Sequence, residues 1–167
     1  MSTAVADTCF LVHWLRFRDR ERLFEVFESV AVPAMVLDEM GARGRVMLAP
    51  WLASRRAFLI LRINEYEVEA LRLIEFSRLQ RLPTLDPPEA YCLAVAKRRG
   101  YAVLTDNKAP KYLAQVLREY SRVKVLDSLD ILFLIYGNDL ADAVKAYKED
   151  TGLAFSRTRL KTYGIEN

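Results

Sequence analysis

The chain predicts an α/β fold, a central and mostly parallel sheet flanked by helices, and three observations carry that reading. Short apolar runs recur along its length at Ala4–Thr8, Val30–Val32, Ala57–Ile63, Tyr101–Thr105 and Val123–Leu126. Runs of this kind, apolar on both sides, suit strands covered on two faces. Between them lie segments with apolar residues at helical spacing, so that strands alternate with helices. Finally, prolines and glycines fall at the joints rather than inside the runs, as at Pro33, Gly41, Pro87 and Gly100.

Taken in order, the first strand leads into a helix through about Arg16, and a second helix is expected over Arg20–Ser29, where Leu23, Phe24, Phe27 and Val30 keep helical spacing. Val30–Val32 is a short strand ended by Pro33, and Ala34–Met40 a helix closed by Gly41. The segment 41–54, with two glycines, Pro50, Arg43 and Arg45 among Met47, Leu48, Trp51 and Leu52, reads as the least regular part, a loop or partner-binding surface. After the strand at Ala57–Ile63, Asn64 and Glu67 have the spacing of a capping box for a helix reaching about Leu79. Asp86-Pro87-Pro88-Glu89 opens the next helix, with an acid at the cap and prolines in the first turn. A helix over Lys108–Tyr120, the strand at Val123–Leu126 and helices near Leu129–Tyr136 and Asp139–Glu149 complete the chain. Its 167 residues suit a single domain, 1–167, with a core over about 3–127 and a helical extension over 128–167.

Composition narrows the function classes. The 52% hydrophobic and 28% charged content is that of a soluble globular protein. The longest apolar stretch, Leu132–Tyr136, is too short to cross a bilayer, and Asp7 interrupts the first hydrophobic run, so neither a span nor a leader is expected and a cytoplasmic location is. Cys9 and Cys92 lack metal or redox spacing and read as buried, reduced thiols. His13 is the sole histidine, which excludes a two-imidazole acid–base mechanism within one chain, and its place in an apolar stretch suggests packing or surface exposure. No glycine-rich phosphate loop occurs. A haloacid-dehalogenase phosphatase would need an acid where Cys9 stands, and a receiver domain one where Ala6 stands.

Four carboxylates stand where strands hand over to helices: Asp7, Glu39, Glu89 and Asp106. In a parallel sheet they meet at the carboxyl edge, where such folds place their sites. Each alone has an ordinary explanation. Asp7 and Asp106 suit helix caps, Glu89 suits the return half of a capping box with Asp86, and Glu39 suits a solvated helix face, with Asp38 beside it as an alternative. Together, four like charges need cations, and hard divalent ions with oxygen ligands meet that need. Removing four acids from 22, against 25 Lys and Arg, leaves a more basic body than the net +3 suggests, as suits a polyanionic ligand.

The ordered set resembles the PIN-domain nucleases, including the ribonuclease toxins of toxin–antitoxin pairs. VADTCFLVH is similar to the family's opening strand with its first acid, Asp7, and neighbouring Thr8. VPAMVLDE resembles the segment in which a proline precedes the helix bearing the second acid, which selects Glu39, and PPEAYCLAVAKRRGYAVLTDNKAPKYLA resembles the stretch carrying the third and fourth, Glu89 and Asp106. The resemblance spans about residues 3–127, and TGLAFS is more weakly similar to the end of one subgroup. It departs at Asn107, where many relatives carry another acid, and in a longer segment around 41–56.

The resemblance implies a PIN-like three-layer fold and metal-dependent hydrolysis of single-stranded RNA. Asp7, Glu39, Glu89 and Asp106 would hold Mg²⁺ or Mn²⁺, supported by Thr8, Thr105 and Asn107, with Lys108 and Lys111 on the RNA phosphates. It also implies a small antitoxin partner, a homodimer, and no membrane. The alternative is a PIN-like module that binds RNA or protein without cutting, through the apolar segment around Trp51 and the tail from Phe155 to Tyr163.

Overall fold

The computed structural model describes residues 2–166. Five parallel strands form one sheet in the order β3-β2-β1-β4-β5, with β1 at Ser2–Ala6, β2 at Phe27–Pro33, β3 at Ala57–Ile60, β4 at Ala102–Leu104 and β5 at Val125–Leu126. Helices flank it: α1 (Thr8–Trp14), α2 (Ala34–Glu39), α3 (Gly41–Ala53), α4 (Asn64–Leu79), α5 (Pro87–Arg99), α6 (Ala109–Val116), α7 (Ser128–Tyr136), α8 (Leu140–Thr151) and α9 (Arg157–Thr162). This is the α/β class expected, in an arrangement consistent with a PIN-like three-layer fold. No helix among the described residues is long and apolar enough to cross a membrane.

The sheet order contains the feature that positions the site. The chain builds outward from β1 through β2 to β3, then returns to lay β4 on the other side of β1. The direction of winding therefore reverses between β1 and β4, and the crevice at that reversal is where open α/β sheets bind ligands. Register sets which residues meet there. Ala6 pairs with Leu104 and Leu104 with Leu126. The backbone N–H of Asp7 then donates to Leu104 O at 3.1 Å, and that of Thr105 to Leu126 O at 3.0 Å. The first polar residues past β1, β4 and β5 thus stand level with one another.

The core explains why these short strands hold. Val5, Val30, Val32, Val103 and Leu104 are fully buried, and α5 contributes an unbroken buried run from Pro88 to Ala96. On the side of α1, Trp14 stacks on Phe10 with ring centroids 5.4 Å apart and meets Tyr147 of α8 at 5.6 Å. Its indole N–H donates to Arg20 O at 3.0 Å, so burial leaves no orphan donor.

The structure departs from the sequence reading in several elements. Residues 41–53 form α3, a full helix, because Leu48 and Trp51 fall on one face and are buried, and tertiary packing overrides the poor helix propensity of Gly44 and Pro50. Trp51 is not an exposed contact: its indole donates to Glu21 at 2.8 Å and Phe24 packs edge-on against it at 4.8 Å. Gly44 is needed here, since a Cβ would lie 2.9 Å from that of Met40. The helix expected over 20–29 is a 3₁₀ turn, Arg20–Glu25, and β2 begins at Phe27, drawn out by parallel pairing with β1. Ile63, not Asn64, is the cap of α4, and no side chain closes that end. The tail is also packed rather than free. Phe155 stacks on Tyr147 at 5.8 Å and Leu160 is buried.

Candidate active site

Asp7 is the first residue past β1 and caps α1, its Oδ1 accepting from the N–H of Phe10 at 2.9 Å. The structural role foreseen for an acid at a cap is therefore present, but it occupies one oxygen only. The other accepts from the hydroxyl of Thr105, which stands just past β4. Asp7 is 2% exposed. Burial pushes its pKa up to about 7 against the pull of those two donors, and the carboxylates of Glu89 and Asp106 push it further in the same direction.

Glu89 is 4% exposed and completes the capping box at the start of α5. Its Oε2 accepts from Asp86 N–H at 3.0 Å, while Oε1 accepts from the side-chain amide of Asn107. Burial raises its pKa as well, with Asp86 adding to the effect. Asn107, the departure from the resemblance, thus ties the loop after β4 to α5.

Asp106 is not a helix cap, since Lys108 takes that place for α6. It is held from β5 and α7 instead. The N–H of Ser128 donates to Oδ1 at 2.8 Å and its hydroxyl to Oδ2 at 2.9 Å, with Tyr147 Oη 2.8 Å from that hydroxyl. The remaining neighbour is His13, whose Nδ1 lies 3.3 Å from Oδ2. The reading of His13 as mere packing or surface is corrected here: α1 turns the ring onto Asp106. Cys9, one turn earlier on α1, is 3.9 Å from the same nitrogen. Burial first, then the charges of Asp7, Asp106 and Glu89, drive the Cys9 thiol up to about 12. The spacing of Cys9 and His13, four residues apart on a helix, is the signal in the sequence that places them on one face.

The fourth acid sits at the rim. Glu39 is exposed on α2 and accepts from the Thr8 hydroxyl at 2.8 Å, which links it to the start of α1. Adjacent Asp38 points to Arg45, 3.5 Å away, and so is engaged elsewhere. Beside Glu39 runs a groove of about 430 Å³ lined by Met35, Leu71, Ile74, Pro88 and Tyr91 among others.

The structure thus places Asp7, Glu89 and Asp106 at the switch point, near enough for Glu89 and Asp106 to act on Asp7 through their charges, while Glu39 stands at the rim on Thr8. Among the described residues no Lys or Arg comes within ion-pairing distance of any of the four, and His13 is the single basic neighbour. The two expected phosphate ligands differ. Lys108 is exposed beside the cluster, whereas the ammonium of Lys111 is 3.3 Å from Asp130. By donor type these carboxylates, with a neutral amide and the hydroxyls of Thr8, Thr105 and Ser128 around them, are what a hard divalent cation takes. Among the described residues, however, no three of the four bring oxygens within 4.8 Å of one another; the group that does so is Cys9, His13 and Asp106. No protein-family model matches this chain, and no curated protein matches it in sequence.

Proposed function

We propose that this chain is a PIN-type endoribonuclease that cleaves single-stranded RNA with Mg²⁺ or Mn²⁺ held by Asp7, Glu39, Glu89 and Asp106. The observation that carries the reading is that Asp7, Glu89 and Asp106 stand at the β1–β4 crevice, coupled through their charges and without a Lys or Arg ion pair among the described residues. A bound cation supplies Lewis-acid chemistry, making water a nucleophile near neutral pH and offsetting charge on the phosphate.

The chain's own residues do the positioning. Phe10 N–H and the Thr105 hydroxyl fix the Asp7 carboxylate, Ser128 fixes Asp106 through two bonds, and Asn107 with Asp86 fixes Glu89. Thr8 holds Glu39 at the mouth. Asp7 and Asp106, at adjacent strand ends, would be the principal residues holding the ion, with Glu89 and Glu39 adding to them. Lys108 meets the RNA backbone from the exposed side, and Lys111 reaches it only by exchanging Asp130 for a phosphate. The reading places the protein in the cytoplasm, and extends to a homodimer and to a small antitoxin-like partner covering the acidic crevice.

The test is cleavage of a labelled single-stranded RNA with Mn²⁺ or Mg²⁺, beside chelator and Asp7→Asn controls. Cutting that depends on the metal and is lost in both controls is expected. Metal-dependent cutting that survives Asp7→Asn overturns the site. A second reading, a PIN-like module that binds without cutting, draws on the groove beside Glu39, whose Met35, Leu71 and Ile74 offer apolar surface to a polypeptide. It gains if varied RNAs stay intact and millimolar Mn²⁺ leaves the melting temperature unmoved.

A further inference from the structure

Cys9 and His13 have no part in an oxygen-only metal site, yet both face it. Their i,i+4 spacing on α1 aligns them along one helix face, and the loop after β4 brings Asp106 against that face. The Cys9 sulfur, a His13 ring nitrogen and an Asp106 oxygen all lie within 4.8 Å of one another. His13 Nδ1 is the shared vertex, 3.9 Å from Sγ and 3.3 Å from Oδ2. Zinc-like bond lengths in tetrahedral geometry require a sulfur–nitrogen edge of about 3.5 Å and a nitrogen–oxygen edge of about 3.3 Å. The second edge is already met and the first is a few tenths of an ångström too long.

We propose that Cys9, His13 and Asp106 form a binding site for a borderline divalent cation such as Zn²⁺ or Co²⁺, separate in chemistry from the carboxylate set but sharing Asp106 with it. A thiolate, an imidazole and a carboxylate select such ions over Mg²⁺. Two of the three ligands carry negative charge when metallated, the thiol proton leaving to solvent, and together they balance the ion. Three protein ligands leave a fourth position open to water. The Asp106 carboxylate is already oriented, because Ser128 donates to both of its oxygens and is itself steadied by Tyr147. An ion held here draws Asp106 away from the oxygen-only set. Where the ribonuclease reading holds, on which this consequence alone rests, Zn²⁺ is therefore an inhibitor.

The site is tested on the full chain, reduced and metal-free, by titration with Co²⁺ followed by absorption. A thiolate-to-cobalt charge-transfer band saturating at one equivalent is expected. It should be bleached by Zn²⁺, absent in Cys9→Ser and Cys9→Ala, and kept in Cys92→Ser, while His13→Gln weakens Co²⁺ binding by more than about tenfold. Far-ultraviolet dichroism on each variant identifies one that fails to fold, and two substitutions at Cys9 guard against that. No charge-transfer band, or a band that persists without the Cys9 sulfur, overturns the site. The activity arm is separate: Zn²⁺ should suppress Mn²⁺-supported cleavage of the wild-type chain, and Cys9→Ser should need more than about tenfold more Zn²⁺ for the same fractional loss. Equal sensitivity overturns the coupling through Asp106. If neither metal supports cleavage, the ribonuclease reading fails while the cobalt spectrum still decides the site.

Discussion

Two groups of carboxylates stand at the same sheet edge, on either side of β4, and are neutralised in different ways. Asp127 and Asp130 open α7 with a capping box. Arg159 of α9 bridges them, its Nη2 2.7 Å from Asp127 and 3.0 Å from Asp130. Lys111 and the Tyr163 hydroxyl complete the shell of Asp130. Burial alone would raise Asp130, but Tyr163, the Asp127 N–H, Arg159 and Lys111 outweigh it and hold the pKa down to about 2, while Asp127, on the same guanidinium, is still raised by burial. On the far side of β4, Asp7 and Glu89 are as deeply buried and have hydrogen-bond donors but no resident cation, and both are pushed up. The fold can thus supply cations to an acid pair at this edge, and at the switch point it does not. A buried acid without a counter-charge is destabilising unless it takes up a proton or something imported neutralises it, and that second route is the one on which the proposed function rests.

That contrast breaks most sharply at Asp7. Asp7→Asn keeps a carbonyl for Phe10 N–H and an amide for Thr105, so its effect isolates the charge. Metal-supported cleavage should fall by about a hundredfold or more, read as kcat at saturating Mn²⁺. The metal-free protein should move the other way and become more stable near pH 8. With a folded pKa of about 7 and an ordinary value of 3.8, the native state between these limits holds a proton that the unfolded chain has released. Stability therefore falls as pH rises through that window, by up to about 4 kcal/mol once Asp7 is fully ionised. The lowered groups, among them Glu69 at about 2, act with the opposite sign and mainly below the window. Denaturant melts from pH 4.5 to 8 should slope downward in the wild type and flatten in Asp7→Asn. Equal slopes would mean that the switch-point group is compensated after all.

The second break is at Arg159, where removing the resident cation should do the reverse. Arg159→Met leaves Asp127 and Asp130 facing each other without their shared guanidinium, and should lower stability by about 3 kcal/mol, seen as a drop in melting temperature. No gain at high pH should accompany it. If Arg159→Met were neutral, the two groups would not differ in kind.

How much of this was legible beforehand follows from the range of the interactions. The β/α alternation was written locally, in short apolar runs such as Ala4–Ala6 and Val103–Leu104 and in the D-P-P-E start of α5. The acids were visible because strand ends and helix starts are themselves local features. What failed was whatever depends on distant partners. Nothing near Trp51 announces that Glu21 and Phe24 await it, so glycines and a proline made α3 read as a loop. His13 meets an aspartate 93 residues away, and Arg159 reaches acids 29 and 32 residues before it. The pair held by Arg159, and with it the contrast to the pair that has no such cation, therefore emerges only once the chain is folded.

The smallest effect offers the finest discrimination, because each group contains a hydroxyl that can be removed without changing charge. Ser128→Ala deletes the 2.9 Å bond to Asp106 Oδ2 and leaves the Tyr147 hydroxyl without its partner, while the backbone N–H of residue 128 still holds Oδ1. Tyr163→Phe likewise strips Asp130 of one donor and keeps the ring against Phe133. Each change should lower stability by about 1 kcal/mol, so thermal melts alone cannot separate them. Metal dependence can. Ser128 orients a proposed ligand, and its loss should raise the Mn²⁺ concentration for half-maximal cleavage by about tenfold, with the rate recovered at saturating metal. Tyr163 orients an acid already neutralised by Arg159 and Lys111, so the Mn²⁺ requirement should not move. A shift of equal size in both variants would show that the two acid groups share one cation demand, and the division between a structural and a functional half of this sheet edge would fall.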